Sequence, residues 1–255
     1  MLTMRSALVL CLVAAGCVRA PAALTADQLA TLVGAADRTA EDRALDPGRK
    51  PAEFLAFTRV GPGMRVGELM AGGGYTTELL SRAVGPGGVV YGENPRWVLE
   101  RFAQAPWSAR LARLPNVKRV DQELDAPLPS PETDAKLDLV VSNAIYHDAV
   151  WNKVDREKMN RAVYRALKMG GSYVVCDSSA QAGAGESVAE TMHRIEEKLV
   201  RDEIEKVGFK LVASGDFLRN PDDARDWNTS PRAAAEKRGT GDRFCLRFER
   251  PTAYD

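Results

Sequence analysis

Residues 66–80 read VGELMAGGGYTTELL. An apolar run closes on an acid, Glu68, three glycines follow at 72–74, and a helix-compatible stretch begins at Tyr75. Strand, glycine turn and helix in that order bring backbone N–H groups to the carboxyl end of a first strand, where open α/β sheets bind their ligands. The glycines alone do not choose the ligand. Glu68 says more, because it sits near the strand end and faces whatever the turn holds. A dinucleotide would set its pyrophosphate against that carboxylate, whereas a ligand carrying positive charge would be attracted to it. The third glycine of the dinucleotide fingerprint is also missing, Gly72 and Gly74 being followed by Thr77.

Working outward, strands and helices alternate. Strands are expected at 64–69, 88–93, 117–121, 137–142, 171–176, 209–214 and 243–249, and helices at 75–84, 96–113, 155–168 and 187–207. The early strands are apolar throughout (KLDLVVS, GSYVVCD), as expected when helices cover both faces of a mostly parallel sheet. This is an open, doubly wound α/β domain over 61–255. Ahead of it, residues 21–60 form a helical cover, with a helix over 25–36 capped by Thr25 and a second starting at Pro51. The segment 216–242 is too long for a tight hairpin and rich in turn formers, so it is expected to fold over a site as a lid.

A chain of 255 residues with 45% hydrophobic content can bury a full core, which excludes a disordered or fibrous protein. Its 35 basic residues match 35 acidic ones, with no long run of either sign, so nothing marks a nucleic-acid or anionic-membrane partner. A small molecule is the expected partner. The N-terminus, MLTMRSALVLCLVAAGC, has one cation at Arg5 and an apolar stretch too short to span a bilayer but suited to an export signal over residues 1–20. Ala14, Ala15 and Gly16 before Cys17 are similar to a bacterial lipobox, which would place a lipid anchor on Cys17. A plain signal cleaved near Ala20 or Ala22 is the other reading. Cys11 and Cys17 fall in this segment, leaving Cys176 and Cys245; with no CxxC and no Cys/His spacing suited to zinc, no metal is expected.

The segments DPGRKPAEFLAF, PGMRVGELMAGGGYTTELLSRAVGPGGVVYGENP, LDLVVSNAIYHD, ALKMGGSYVVCD, and GFKLVASGDFLRNPDD followed by RFCLRFERP carry a resemblance. From about Asp46 to Pro251 the chain resembles the class I S-adenosylmethionine-dependent methyltransferases, and within them a group of exported, predicted bacterial methyltransferases. The resemblance implies a Rossmann-like, mostly parallel seven-stranded sheet with an antiparallel last strand, and S-adenosylmethionine as cofactor. It implies that Glu68, Gly72 and Gly74 line the methionine end, with Gly73 and Tyr75 in the same turn, and that Asn143 lines the cofactor beyond the fourth strand. The second strand of such enzymes ends in an acid that takes the ribose hydroxyls. Asn94 stands there, an uncharged ribose partner, with Glu93 one residue earlier on the opposite face. Glu123 or Asp121 falls at the adenine end. Met70 replaces the usual first glycine of the loop.

Methyl transfer from a sulfonium is an in-line displacement, which needs a base only if the nucleophile must lose a proton. His147, after the fourth strand, is expected to be that base, with Tyr146 and Asp148 orienting it or the substrate. The competing reading has His147 and Asp148 merely capping the next helix. His193 falls in a charged helical pattern and is expected to pack against a neighbouring helix rather than reach the substrate. Arg49 and Lys50 are placed to cover the cofactor carboxylate or an acidic substrate, and Arg219, Asn220 and Trp227 are weaker candidates in the lid. Cys176 and Cys245 fall on strands that neighbour one another in a methyltransferase sheet, so a disulfide is open to them, but two buried free thiols are expected. Tyr164 and Lys168 match the Tyr-x-x-x-Lys pair of short-chain dehydrogenases by coincidence. Export and a cofactor made in the cytoplasm conflict, which leaves three readings: a methyltransferase acting on a small-molecule acceptor, with an unusual cofactor supply or a signal that is not used; an exported, non-catalytic binder of small ligands that keeps the fold; or a dehydrogenase, against which Glu68 and the missing fingerprint speak.

Overall fold

The computed structural model describes residues 22–252. The signal expected over residues 1–20, including Cys17, lies outside them.

Three helices lead in: α1 (Ala26–Val33), α2 (Ala40–Arg49) and α3 (Pro51–Thr58). Helix α2 forms where the sequence shows only dense charge. Thr39 accepts a hydrogen bond from the Asp42 N–H, acids stand in the first turn and Arg49 in the last, the arrangement that suits the helix dipole. Lys50, at φ 44°, then turns the chain directly into α3, whose first residue is Pro51.

The sheet comprises β1 (Arg65–Leu69), β2 (Val89–Glu93), β3 (Val117–Val120), β4 (Leu137–Asn143), β5 (Leu167–Ser178), β6 (Lys210–Gly215) and β7 (Arg243–Glu249), in the order β3-β2-β1-β4-β5-β7-β6. β7 runs antiparallel to β5 and β6, and the other pairings are parallel. The doubly wound α/β class and the antiparallel last strand expected from the sequence are both present. Alternation along the strands builds a core on each face. Val66, Leu139, Val141 and Val174 meet α1, α3 and α4 (Tyr75–Val84), while Val140, Tyr173, Val175 and Phe248 meet α8 (Arg156–Ala166) and α10 (Glu197–Lys206).

Two expected helices are interrupted. The one expected over 96–113 runs as α5 (Arg96–Val98), a π turn at Leu99–Ala103, and α6 (Gln104–Leu111). The one expected over 187–207 stops after α9 (Ala189–Met192), where His193 takes a left-handed conformation (φ 50°), and resumes as α10. A short helix, α7 (Tyr146–Trp151), follows β4 directly.

The expectation of two free thiols is corrected. Cys176 and Cys245 stand directly opposite in the β5–β7 register, with Cα atoms 4.1 Å apart, and form a disulfide. Antiparallel pairs that exchange no backbone hydrogen bonds bring opposed side chains closest, so the register itself delivers the two sulfurs to each other.

The segment 216–242 packs over the carboxyl end of β5 and the turn between α9 and α10. Its anchor is the fully buried Arg194, which donates to Asp223, to the Trp227 and Ser179 carbonyls, and lies 4.8 Å over the Trp227 ring. Of the lid candidates, Arg219 pairs with Glu197, Asn220 donates to the Thr240 carbonyl, and Trp227 donates to Asp223. All three hold the segment in place.

Candidate active site

The glycine turn leaves β1 at Leu69 and enters α4 at Tyr75. Met70, Gly72 and Gly74 have φ of 48°, 57° and 83°. Glycine adopts these values freely, but Met70 does so against steric resistance. The end of β2 holds the turn in shape. Glu93 accepts from the Met70 N–H at 2.8 Å, and Asn94 accepts from the Gly72 N–H at 2.7 Å while donating to the Gly72 carbonyl at 3.1 Å. The Gly73 carbonyl accepts from Arg110. A Cβ on Gly74 would lie 2.7 Å from both Trp107 and Arg110, so this position is closed to a side chain on grounds of space as well as φ.

These bonds set Asn94 and Glu93 apart. Asn94, expected as a ribose partner, is fully buried and spends both ends of its amide on Gly72. Glu93, equally buried, keeps one carboxylate oxygen, Oε1, without a hydrogen-bond partner among the described residues. Burial pushes its carboxyl well above the usual range. Glu123 is exposed and accepts from the Arg96 N–H at 3.3 Å, and Asp121 pairs with Arg119 on the surface.

Beneath the turn Glu68 is buried and accepts a short hydrogen bond from Thr77. Burial raises its carboxyl to about 8, against the opposing pull of that bond and of the Arg110 and Arg49 charges. The Arg49 guanidinium lies 4.3 Å over the Tyr75 ring and makes no ion pair among the described residues. Tyr75 itself donates to Asp46, which also holds Arg38. Arg243, from the start of β7, donates to the Gly48 carbonyl, and burial with the nearby Arg49 charge lowers it to about 10. Arg49 thus acts on Glu68 from one side and on Arg243 from the other, while Asp177 and Asp242 partly offset the charge of Arg243. Nothing in the sequence marked Arg243. Lys50 leaves this group to donate to the Phe217 carbonyl. Asn143 faces α4, 3.4 Å from the Thr76 hydroxyl.

Beyond β4 a second group assembles. His147 is buried, with Nδ1 2.7 Å from Asp177 Oδ1, and its backbone N–H donates to the other oxygen of Asp177. Its Nε2 lies 3.2 Å from Nδ1 of His193 and 3.5 Å from Asp148 Oδ1, which also accepts from the Trp151 indole. Burial disfavours the imidazolium, but the carboxylates of Asp177 and Asp148 outweigh it and lift His147 to about 9. Burial and the His147 charge lower His193. The proton that charges the pair therefore rests mainly on His147. His193 is here because the helix breaks at it, and Thr229 from 216–242 fixes the break by donating to the His193 carbonyl at 2.7 Å. The helix-packing role expected for His193 gives way to this contact. Tyr146 is excluded from the group: it points into the core, where its hydroxyl donates to Glu203 and accepts from Asn160. It supports α8 and α10 and orients nothing at His147.

No protein-family model and no curated protein matches the sequence. Solved structures do match in fold. A SAM-dependent methyltransferase from Aquifex aeolicus aligns with a TM-score of 0.57 and 16% identity over 88% of this chain and 98% of its own. An arsenic(III) S-adenosylmethionine methyltransferase from Chlamydomonas reinhardtii aligns at 0.53 and 16% over 88% and 73%. The [4+2]-cyclase SpnF aligns at 0.56 and 15% over 91% and 98%. The chain has the Rossmann-like methyltransferase fold. At these identities the likeness defines architecture, and SpnF shows that the architecture also serves a cyclase.

Proposed function

We propose that this protein transfers a methyl group from S-adenosylmethionine to a small-molecule acceptor. The observation that carries the reading is Glu68, buried under the Gly72–Gly74 turn at the carboxyl end of β1. A carboxylate there suits the ammonium and sulfonium of that cofactor and repels a pyrophosphate. The surrounding residues fit the rest of the molecule: Arg49 and Arg243 offer cations to its carboxylate, and the partnerless oxygen of Glu93 is a hydrogen-bonding group for a ribose hydroxyl. The cofactor supplies an electrophilic methyl carbon. The chain's own part is to position it and to hold the acceptor beside His147, whose ring Asp177 orients.

An exported, periplasmic setting is part of the proposal, with Cys17 as its lipid anchor. The leader composition supports it, as does the Cys176–Cys245 disulfide, a bond kept mainly in oxidising compartments. A non-catalytic small-ligand binder remains the second reading, favoured by Met70 in the place of a loop glycine and by the engagement of Asn94 within the protein. Hydrogen exchange with and without S-adenosylmethionine tests the site. Slowed exchange confined to 68–78 and 93–96 is expected; protection elsewhere, with none at the turn, would refute the assignment.

A further inference from the structure

Three ligand atoms of the histidine group form a compact triangle. Its edges are 3.2 Å between His147 Nε2 and His193 Nδ1, 3.5 Å between His147 Nε2 and Asp148 Oδ1, and 3.8 Å between His193 Nδ1 and Asp148 Oδ1. The circle through those atoms has a radius of about 2.0 Å, and a tetrahedral ion with bonds of about 2.1 Å needs ligand atoms about 3.4 Å apart. The spacing therefore matches three corners of a zinc-type coordination shell. We propose that His147, His193 and Asp148 bind a divalent first-row transition-metal ion, zinc being the reference case, with at least one coordination position left to water or to a heteroatom of a ligand.

Three further features point the same way. Asp177 lies on the far nitrogen of His147 at 2.7 Å, the carboxylate–histidine arrangement that fixes the ring and the tautomer of metal-binding histidines. Trp151 donates to the ligating oxygen of Asp148 at 2.8 Å and so orients that carboxylate too. His193 also reaches the triangle through a left-handed backbone that helix packing does not require, held by Thr229. A 2-His-1-carboxylate set with an open position is the donor chemistry of catalytic rather than structural metal sites. The triangle is closed by Asp177 on the core side, while His193 and Asp148 are partly exposed. The open position thus faces the side from which a ligand enters. This site stands on its own residues and does not depend on methyl transfer.

The test is titration of the purified protein, stripped with a chelator, by Zn2+ in a calorimeter and by Co2+ followed through its visible absorption. Saturation at one ion per chain is expected, with cobalt bands of four-coordinate intensity. His193→Ala and Asp148→Asn should each weaken binding at least tenfold. Asp177→Asn, which touches no ion, should weaken it about 10–100-fold with the stoichiometry unchanged. Absence of saturable binding, or equal affinity in the wild type, His193→Ala and Asp148→Asn, would overturn the site and leave the two rings sharing a proton. No S-adenosylmethionine is present in the titration, so its outcome is read separately from the methyltransferase assignment.

Discussion

Glu68 ties cofactor binding to pH. In the free protein its carboxyl ionises at about 8 rather than near 4.5, because burial opposes the charge. The sign follows from proton counts: between those two values the folded chain holds a proton that the unfolded chain has released, so stability falls as pH rises through that window and levels off above it. The rise from 4.5 to about 8 sets an upper bound of about 5 kcal/mol on this loss. A cationic ligand wants Glu68 charged, so binding at pH 7 must expel the proton that most of the molecules carry. Between pH 6 and 7, where the amino group of the cofactor stays protonated, the apparent affinity for S-adenosylmethionine should rise several-fold, toward the limit of about tenfold per pH unit. Calorimetry in phosphate and in Tris, whose ionisation heats differ, counts the released proton directly. Glu68→Gln should abolish both the pH slope and the buffer dependence, weaken binding, and make the free protein more stable than wild type at pH 8.5. Affinity flat across pH 6–7 with equal heats in both buffers would refute the reasoning.

Other consequences can be measured separately. Gly74→Val forces a branched residue to φ 83° against Trp107 and Arg110; urea unfolding should show a loss of at least about 1–2 kcal/mol, and cofactor binding should vanish. Arg49→Met should weaken S-adenosylmethionine by about 1.5–3 kcal/mol while leaving methylthioadenosine, which lacks the carboxylate, nearly unchanged in a competition assay. Cys176→Ser together with Cys245→Ala opens a crosslink between residues 69 apart in sequence and should cost about 4 kcal/mol on the loop-entropy model, seen as a lower urea midpoint that reductant no longer moves.

The sheet was legible in the sequence because apolar strands and a glycine turn announce themselves locally. Glu68 could be read for the same reason, its place at a strand end following from the run before it. The rest depended on tertiary contacts. Asn94 and Glu93 are adjacent, and only the folded turn decides that the amide closes on Gly72 while the carboxylate keeps a free oxygen. His193 sits in a pattern with good helical spacing, and the distant segment 216–242, through Thr229 on His193 and Trp227 on Arg194, breaks the helix there. With His147 and His193 46 residues apart, no ligand spacing could appear in the sequence. Arg49 and Arg243 come from opposite ends of the chain, so their crowding was invisible. Tyr146, beside His147 in sequence, turns the other way because successive residues of α7 face different surfaces.

The central claim is that the turn below Tyr75 holds S-adenosylmethionine. Calorimetric titration of S-adenosylmethionine and S-adenosylhomocysteine into the purified protein tests it most directly. Saturable binding of one molecule per chain, lost in Gly74→Val, is the predicted result. No binding heat at several temperatures, in protein shown by circular dichroism to be folded, would contradict the claim and leave the turn as architecture serving a different ligand.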